Sequence, residues 1–315
     1  MKCLGTTTIG NFPLKPSDAN IALCTELQLK VGIDYPALPQ LRDFMAIYIE
    51  CIHGIKHVEG GYVLMDYPVR GDLSELEHDI NIFINVLKEH GNYRRGKLQV
   101  IGPLTMCSSI KSPSGSELIR EKDLVKALSE ALADVLNEIL SKYGAYFEVV
   151  FIDEPTIPYA SWIGYIADEV AELIRPLSEV ARRHNKVVGL HVCGKVKGYA
   201  ALLVELPVDT LHHEVYGSLD NLDAYTSSQL AEYDKKLCIG VIDNKSPTVE
   251  RLNEVIKIME KACNRFGYER IAIAPNCGFA ALKDYGSKAM KIVEQKLKTM
   301  VSAARKIRAK YECVN

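Results

Sequence analysis

Short apolar segments alternate eight times with amphipathic segments along the 315-residue chain. The apolar segments are rich in Val, Ile and Leu, which is typical of parallel strands that are buried on both faces. They are Lys2–Thr8, Gly61–Met65, Lys97–Ile101, Phe147–Ile152, Lys186–His191, Asp209–His213, Lys236–Val241 and Arg270–Ala274. The helical pattern is clearest in Lys122–Tyr143, whose apolar residues fall on one face. Eight strand–helix units predict an α/β fold, a (β/α)8 TIM barrel.

An open, doubly wound sheet is the alternative fold. It normally has a glycine-rich turn after its first strand, and no G-x-G-x-x-G pattern follows Lys2–Thr8. The region from residue 10 to residue 60 is the least regular, and it is too long for a plain strand-to-helix loop. We therefore expect an irregular cap, an insertion over the barrel mouth. No linker divides the sequence, so residues 1–315 are expected to form a single catalytic domain.

The composition excludes several classes of protein. Lys and Arg number 38 against 40 Asp and Glu, so no basic bias supports a nucleic-acid partner. No apolar run reaches the roughly 18 residues of a membrane helix, and no signal-peptide pattern opens the chain. We therefore expect a cytoplasmic protein without a membrane partner. The nine cysteines are then not expected to form a disulfide framework; most should be packing residues, and one or two should be ligands or nucleophiles.

Residues that can bind a metal follow several of the predicted strands. In a TIM barrel, the carboxyl ends of the strands meet at one mouth, where function resides. His191 and Cys193 are two residues apart, a spacing that puts both side chains on one face of a strand end. Glu214 and Cys277 lie at two other strand ends. These four residues form a plausible tetrahedral zinc set, because two thiolates favour Zn²⁺ over Mg²⁺ or Ca²⁺.

His212 and His213 compete with Glu214 as the metal ligand from this strand. The alternative is that they contact the ligands without binding the metal, or that they face the solvent. Asp153 closes a very apolar strand, where a carboxylate could bind an ammonium group or accept a proton. A helix N-cap or a loop carboxylate is the structural alternative for Asp153.

At these motifs the sequence resembles the catalytic C-terminal barrel of cobalamin-independent methionine synthase, over nearly the whole chain. The segment from Thr6 to Pro13 reads T-T-T-I-G-N-F-P and is similar to the family's T-T-T-I-G-S-F-P. Gly102–Thr105 is similar to G-P-V-T, and Ile152–Pro155 reads I-D-E-P as in the family. The four ligand candidates fall in order where the family has its zinc ligands. The length resembles that of archaeal single-barrel members.

The resemblance implies a zinc-dependent methyltransferase that converts homocysteine to methionine. Zinc would lower the pKa of the substrate thiol from about 8.5, so that a thiolate attacks the methyl donor. Asp153 would bind the ammonium group of the substrate. The backbone of Ile9, Gly10 and Asn11 would bind its carboxylate. The donor would be a methylfolate or a methylcorrinoid.

The sequence departs from the family pattern at two places that matter for catalysis. Glu59 is the residue that could replace the family's amino-group-binding Glu after the second strand. The family's Asp-x-His-Ser-Pro, with His as general acid, reads Asp243-Asn244-Lys245-Ser246-Pro247 here, so Asp243 and Lys245 are the catalytic candidates. A folate donor needs a proton on its leaving nitrogen, and a lysine with a pKa of about 10.4 is a poor acid for that step. The change therefore hints at a methylcorrinoid donor.

Two other functions remain open. One is a corrinoid-to-thiol methyltransferase that acts on another thiol, such as coenzyme M. The other is a non-catalytic paralogue that binds zinc or a corrinoid protein.

Overall fold

The computed structural model describes residues 1–91 and 96–313. The helices are α1 (Asp18–Val31), α2 (Phe44–Glu50), α3 (Ser74–Glu89), α4 (Pro103–Cys107), α5 (Lys122–Tyr143), α6 (Ala160–Ile163), α7 (Ala167–Arg183), α8 (Ala200–Glu205), α9 (Ser227–Glu232), α10 (Leu252–Phe266) and α11 (Ala289–Lys310). The strands are β1 (Ile52–Val58), β2 (Gly61–Arg70), β3 (Gly96–Ile101), β4 (Ile110–Lys111), β5 (Phe147–Asp153), β6 (Val187–His191), β7 (Thr210–Glu214), β8 (Lys236–Gly240) and β9 (Ile271–Ala274).

Six strands form a parallel sheet in the order β3-β5-β6-β7-β8-β9. Two short extended segments close this sheet into a barrel. Thr6 pairs with Ile273 of β9, and the Thr7 N–H donates to the Ile273 carbonyl at 2.9 Å. The second segment, around residues 35–37, pairs in parallel with Thr7 on one side and with Lys97 of β3 on the other. The α/β barrel predicted from the alternation is thereby confirmed.

The second barrel strand is not the one that the sequence predicts. Gly61–Met65 lies in β2, which pairs antiparallel with β1 in a hairpin, while the barrel position is taken by residues 35–37. The barrel segment is short and contains Pro36, so it lacks the apolar run that marks the other strands. The β2 strand has that run, but most of its side chains are exposed or half-buried.

Two helices, α1 and α2, lie within residues 10–60, and α1 makes this region more regular than its sequence indicates. The expectation that the region is an insertion over the barrel mouth stays a prediction. Ser17 caps α1 by accepting a hydrogen bond from the Asn20 N–H, and Gly32, with a φ of 89°, ends it. The buried face of α1 includes Thr25 and Gln28, which hides its helical periodicity. The assignment of residues 1–315 to one domain stays a prediction.

The core has two layers, one between the sheet and the helices and one inside the barrel. Inside the barrel, the Phe151 ring lies over Gly189, where an added Cβ would be 2.0 Å from the ring. The Lys97 ammonium lies 4.4 Å from the centre of the same ring, and burial lowers the pKa of Lys97 to about 8. This packed layer supports the residues at the mouth from below.

The two ends of the described chain are joined by a disulfide between Cys3 and Cys313. Cys3 and Cys313 are therefore neither packing residues nor ligands, the two roles expected of the cysteines from the sequence. Among the described residues, none of the helices combines the length and apolarity needed to cross a membrane.

Candidate metal and substrate site

Three of the four predicted metal ligands meet at the barrel mouth. His191 ends β6, Cys193 follows two residues later, and Cys277 follows β9. The His191 Nε2 atom lies 3.2 Å from the Cys193 Sγ and 3.5 Å from the Cys277 Sγ, and the two sulfurs are 3.7 Å apart. Strand ends that are distant in sequence thus direct one nitrogen and two sulfurs at the same point.

The dimensions of this group fit a zinc ion. Tetrahedral bonds of about 2.3 Å to sulfur and about 2.0 Å to nitrogen place the ligand atoms about 3.5–3.8 Å from one another. A hydrogen bond from Cys193 lowers the pKa of the Cys277 thiol well below its usual value, and the charge of His191 acts in the same direction against burial. The same hydrogen bond raises the pKa of the Cys193 thiol, so without a metal the pair favours one thiolate, on Cys277, and one thiol, on Cys193.

Glu214, the fourth predicted ligand, ends β7 but lies outside this group. Its Oε1 accepts a hydrogen bond of 3.0 Å from the Ser218 hydroxyl. Within residues 1–91 and 96–313, no carboxylate oxygen joins the His191, Cys193 and Cys277 atoms within 4.8 Å. Metal ligation by Glu214 stays a prediction.

The two histidines before Glu214 point to opposite sides of β7, as successive strand residues do. The His212 ring contacts the His191 Nδ1 at 2.5 Å and the Pro275 carbonyl at 3.0 Å. The His213 ring contacts the Tyr225 hydroxyl at 2.8 Å and the Val192 carbonyl at 3.4 Å. Burial lowers the pKa of both rings, that of His213 to about 3. Both nitrogens of each ring are engaged, which leaves neither histidine available as the fourth ligand.

Asp153 and Glu154 are adjacent, but the structure uses them differently. Glu154 accepts hydrogen bonds from the backbone N–H groups of Leu104 and Thr105, at 2.9 and 2.8 Å, and so caps the first turn of α4. Asp153 pairs with His191 across β5 and β6, and its Oδ1 is buried without a hydrogen-bond partner. Burial raises the pKa of Asp153 to about 6, against the charges of His191 and Lys97. An unpartnered carboxylate oxygen at this place can bind a substrate ammonium group.

The predicted carboxylate-binding backbone, Ile9-Gly10-Asn11, lies against the loop that carries Cys277. The Asn11 carbonyl accepts a hydrogen bond of 2.8 Å from the Phe279 N–H. Gly10 has a φ of 64°, and an added Cβ would be 1.9 Å from the side-chain amide of Gln99. Only glycine lets the backbone pass at this distance from β3.

The other three predicted site residues do not reach the metal-binding group. Asp243 accepts hydrogen bonds from the backbone of Lys245 and Ser246, so its carboxylate shapes a turn, and the Lys245 side chain is exposed. Glu59 is exposed in the turn between β1 and β2. None of the three forms a hydrogen bond or an ion pair with the metal-binding group in the part of the chain described.

Sequence reasoning missed one buried pair that supports this region. The Lys296 Nζ lies 2.7 Å from Glu250, which also accepts a hydrogen bond of 2.9 Å from the Asp243 N–H. The sequence gives little indication of this pair, because Lys296 is one of several basic residues in the last helix, and such a group is typical of a solvent-exposed face.

Comparisons of sequence place the chain near one group of methyltransferases. The family model described as "Cobalamin-independent synthase, Catalytic domain" matches residues 84–306. A methionine synthase of Methanothermobacter marburgensis is 24% identical over 323 residues, which cover 95% of this chain and 98% of that protein. A 5-methyltetrahydropteroyltriglutamate–homocysteine methyltransferase of Neisseria meningitidis is 30% identical over 186 residues. That match covers 58% of this chain but only 22% of the longer relative.

Comparisons of structure agree on the fold. A B12-independent methionine synthase from Shewanella sp. W3-18-1, solved in complex with selenomethionine, has a TM-score of 0.73 at 18% identity and covers 99% of both chains. A methyltransferase from Methanosarcina mazei has a TM-score of 0.61 at 17% identity, covering 92% of this chain and 86% of that one.

Proposed function

This chain belongs to the family of cobalamin-independent synthase catalytic domains, and we propose that it methylates the thiol of homocysteine at a zinc ion. His191, Cys193 and Cys277 would hold this ion, and Glu214 at the end of β7 would be the further protein ligand predicted from the sequence. The observation that carries the proposal is the convergence of these three ligand atoms, all within 4.8 Å of one another, at the barrel mouth.

The metal contributes one chemical effect when bound, which is to lower the pKa of the substrate thiol so that a thiolate exists at neutral pH. The protein residues orient the rest of the substrate. The unpartnered Oδ1 of Asp153 binds the ammonium group, and the backbone of Ile9-Gly10-Asn11 binds the carboxylate. Asp153 lies on β5, next to the strand that carries His191, so an amino acid bound there presents its thiol to the metal-binding group.

We assign a methylcorrinoid as the donor. The new bond joins sulfur to the methyl carbon, the cobalt–carbon bond breaks with its electron pair left on cobalt, and the thiol proton goes to solvent. No general acid is needed, whereas a folate nitrogen would need one. Support for this donor comes from Lys245, which is exposed and stands where the family has its histidine, because an ordinary lysine is a weaker acid than histidine at neutral pH.

The charge of Asp153 also favours homocysteine over coenzyme M as the methyl acceptor. Homocysteine carries an ammonium group that complements the buried carboxylate, whereas coenzyme M carries only a sulfonate, which that carboxylate would repel. The structure therefore favours the amino acid.

The test combines two acceptors with two donors. Zinc-loaded protein is incubated with homocysteine or coenzyme M, together with methylcobalamin or methyltetrahydrofolate, and products are measured by mass spectrometry. We expect methionine from homocysteine and methylcobalamin. Methylated coenzyme M without methionine would contradict the acceptor, and methionine from the folate alone would contradict the donor. No product from zinc-loaded protein would leave the non-catalytic function as the explanation.

A further inference from the structure

We infer that His212 is a positioning residue that fixes the ring of His191, so that the lone pair of the His191 Nε2 faces the metal. This inference rests on the proposed function, because it concerns the same metal site. His212 would thus support a metal ligand, whereas from the sequence it was a candidate for a metal ligand itself.

The direction of both hydrogen bonds of His212 follows from the Pro275 carbonyl, because this group can only accept. The carbonyl oxygen of Pro275 can only accept a hydrogen bond, and it lies 3.0 Å from the His212 Nε2. The His212 Nε2 therefore carries a hydrogen. In a neutral imidazole the other nitrogen is then an acceptor, so the His212 Nδ1 presents a lone pair.

That lone pair determines the tautomer of His191. The Nδ1 atoms of His191 and His212 are 2.5 Å apart, so the His191 Nδ1 must donate. The His191 Nε2 is left with its lone pair toward Cys193 and Cys277. The opposite direction would place a hydrogen on the His191 Nε2 and prevent ligation, because a histidine ligand binds a metal through an unprotonated nitrogen.

The fold builds this contact into the barrel. His191 and His212 are direct partners across β6 and β7, and the two residues are 3% and 0% exposed. Pro275 lies two residues before Cys277, in the same loop. The His212 ring thus connects the strand that carries one ligand to the loop that carries another, and burial reduces competition from water for its hydrogen bonds.

Three variants separate this role from a general loss of packing. In His212→Gln, the amide oxygen can accept from His191 and the amide nitrogen can donate to Pro275. In His212→Leu, both functions are lost. His213→Gln is the matched control, because His213 is equally buried but contacts Tyr225 and Val192 instead.

The readout is zinc affinity, measured by competition with a chromophoric chelator on variants whose fold is checked by circular dichroism. Loss of a partner behind a ligand typically weakens metal binding about 10–100-fold, and we expect that loss for His212→Leu. His212→Gln and His213→Gln should stay within about threefold of wild type. A folded His212→Leu protein that binds zinc as tightly as wild type would overturn the inference.

A second readout covers the case in which His212→Leu does not fold. Long-range ¹H–¹⁵N spectra of zinc-loaded wild type should show hydrogen on the His191 Nδ1 and on the His212 Nε2, and a hydrogen on the His212 Nδ1 would contradict the inference. Failure of methyl transfer alone gives a different result, since the protein would still bind zinc and the His212 variants could still be compared. Wild-type protein that holds no zinc would contradict the metal site itself, and both proposals would then fail.

Discussion

The sulfurs of Cys193 and Cys277 lie 3.7 Å apart although 84 residues separate them in the chain. Their strands, β6 and β9, are not neighbours in the sheet, because β7 and β8 lie between them. The pair therefore meets only because the sheet closes into a barrel. A metal bound by both sulfurs links two distant parts of the fold.

The first prediction concerns this pair. Cys277→Ala removes one of the three convergent ligands, so the purified protein should lose its roughly one zinc per chain, as measured by inductively coupled plasma mass spectrometry. Cys263→Ala is the control, because Cys263 is buried on α10, away from the metal-binding group. Full zinc content in Cys277→Ala would show that the site is assigned to the wrong residues.

The second prediction concerns Asp153. A hydrogen bond between charged groups contributes about 1.5–3 kcal/mol, so Asp153→Asn should raise the KM for homocysteine about 10–100-fold with a smaller change in kcat. The variant should affect methylation of 4-mercaptobutyrate, which lacks the ammonium group, much less. Equal effects on both thiols would mean that Asp153 does not bind the ammonium.

Asp153 also predicts a pH dependence for the wild type. Its raised pKa of about 6 means that the carboxylate gains a proton, and loses its attraction for the ammonium, as the pH falls through 6. The kcat/KM for homocysteine should therefore fall below about pH 6, since this ratio reports the free enzyme. The kcat/KM of Asp153→Asn should not show this decrease at low pH. A wild-type kcat/KM that stays constant down to pH 5 would contradict the role of Asp153 in binding the ammonium group.

The third prediction compares two glycines with positive φ. Gly10→Ala would place a Cβ 1.9 Å from Gln99 and 2.8 Å from the Leu38 carbonyl, whereas a Cβ at Gly115 would meet nothing within 4 Å. Both variants bear the left-handed backbone cost of roughly 1–2 kcal/mol, and Gly10→Ala adds the overlap, about 1–3 kcal/mol more. Urea unfolding should show the difference. Equal free energies of unfolding for the two variants would contradict the close approach of Gly10 to β3.

The fourth prediction concerns the disulfide between Cys3 and Cys313. A crosslink that closes almost the whole chain restricts the unfolded state, so reduction should lower the free energy of unfolding by about 2–5 kcal/mol. A Cys3→Ser, Cys313→Ser double variant should unfold identically with and without reductant. Non-reducing peptide mapping that finds both thiols free in air-oxidised protein would refute this pairing.

Seven of the eight barrel strands could be predicted, because each is a short apolar run between helical patterns. Residues 35–37 could not, since this segment is short and includes Pro36, and its place in the barrel is fixed by pairing with Thr7 and Lys97 on either side. The β2 strand had the stronger local pattern but belongs to a hairpin. Which of the two segments joins the barrel depends on strand pairing between distant parts of the chain, and the local sequence pattern does not encode that pairing.

The metal-binding group could be predicted in large part for the same reason that the barrel could. Once strand ends share a mouth, His191, Cys193 and Cys277 must converge. The orientation of individual side chains could not be predicted. Glu214 ends β7, but its carboxylate accepts a hydrogen bond from Ser218, and the His212 ring contacts His191 rather than the two sulfurs. Such choices depend on neighbouring side chains, which one sequence does not reveal.

The most direct measurement is X-ray absorption at the zinc edge, with and without homocysteine. The protein alone should show two sulfur neighbours per zinc, from Cys193 and Cys277, together with lighter nitrogen and oxygen neighbours. Addition of homocysteine should raise the count to three sulfurs at about 2.3 Å. A count that stays at two in the presence of saturating homocysteine would contradict activation of the substrate thiol at this site.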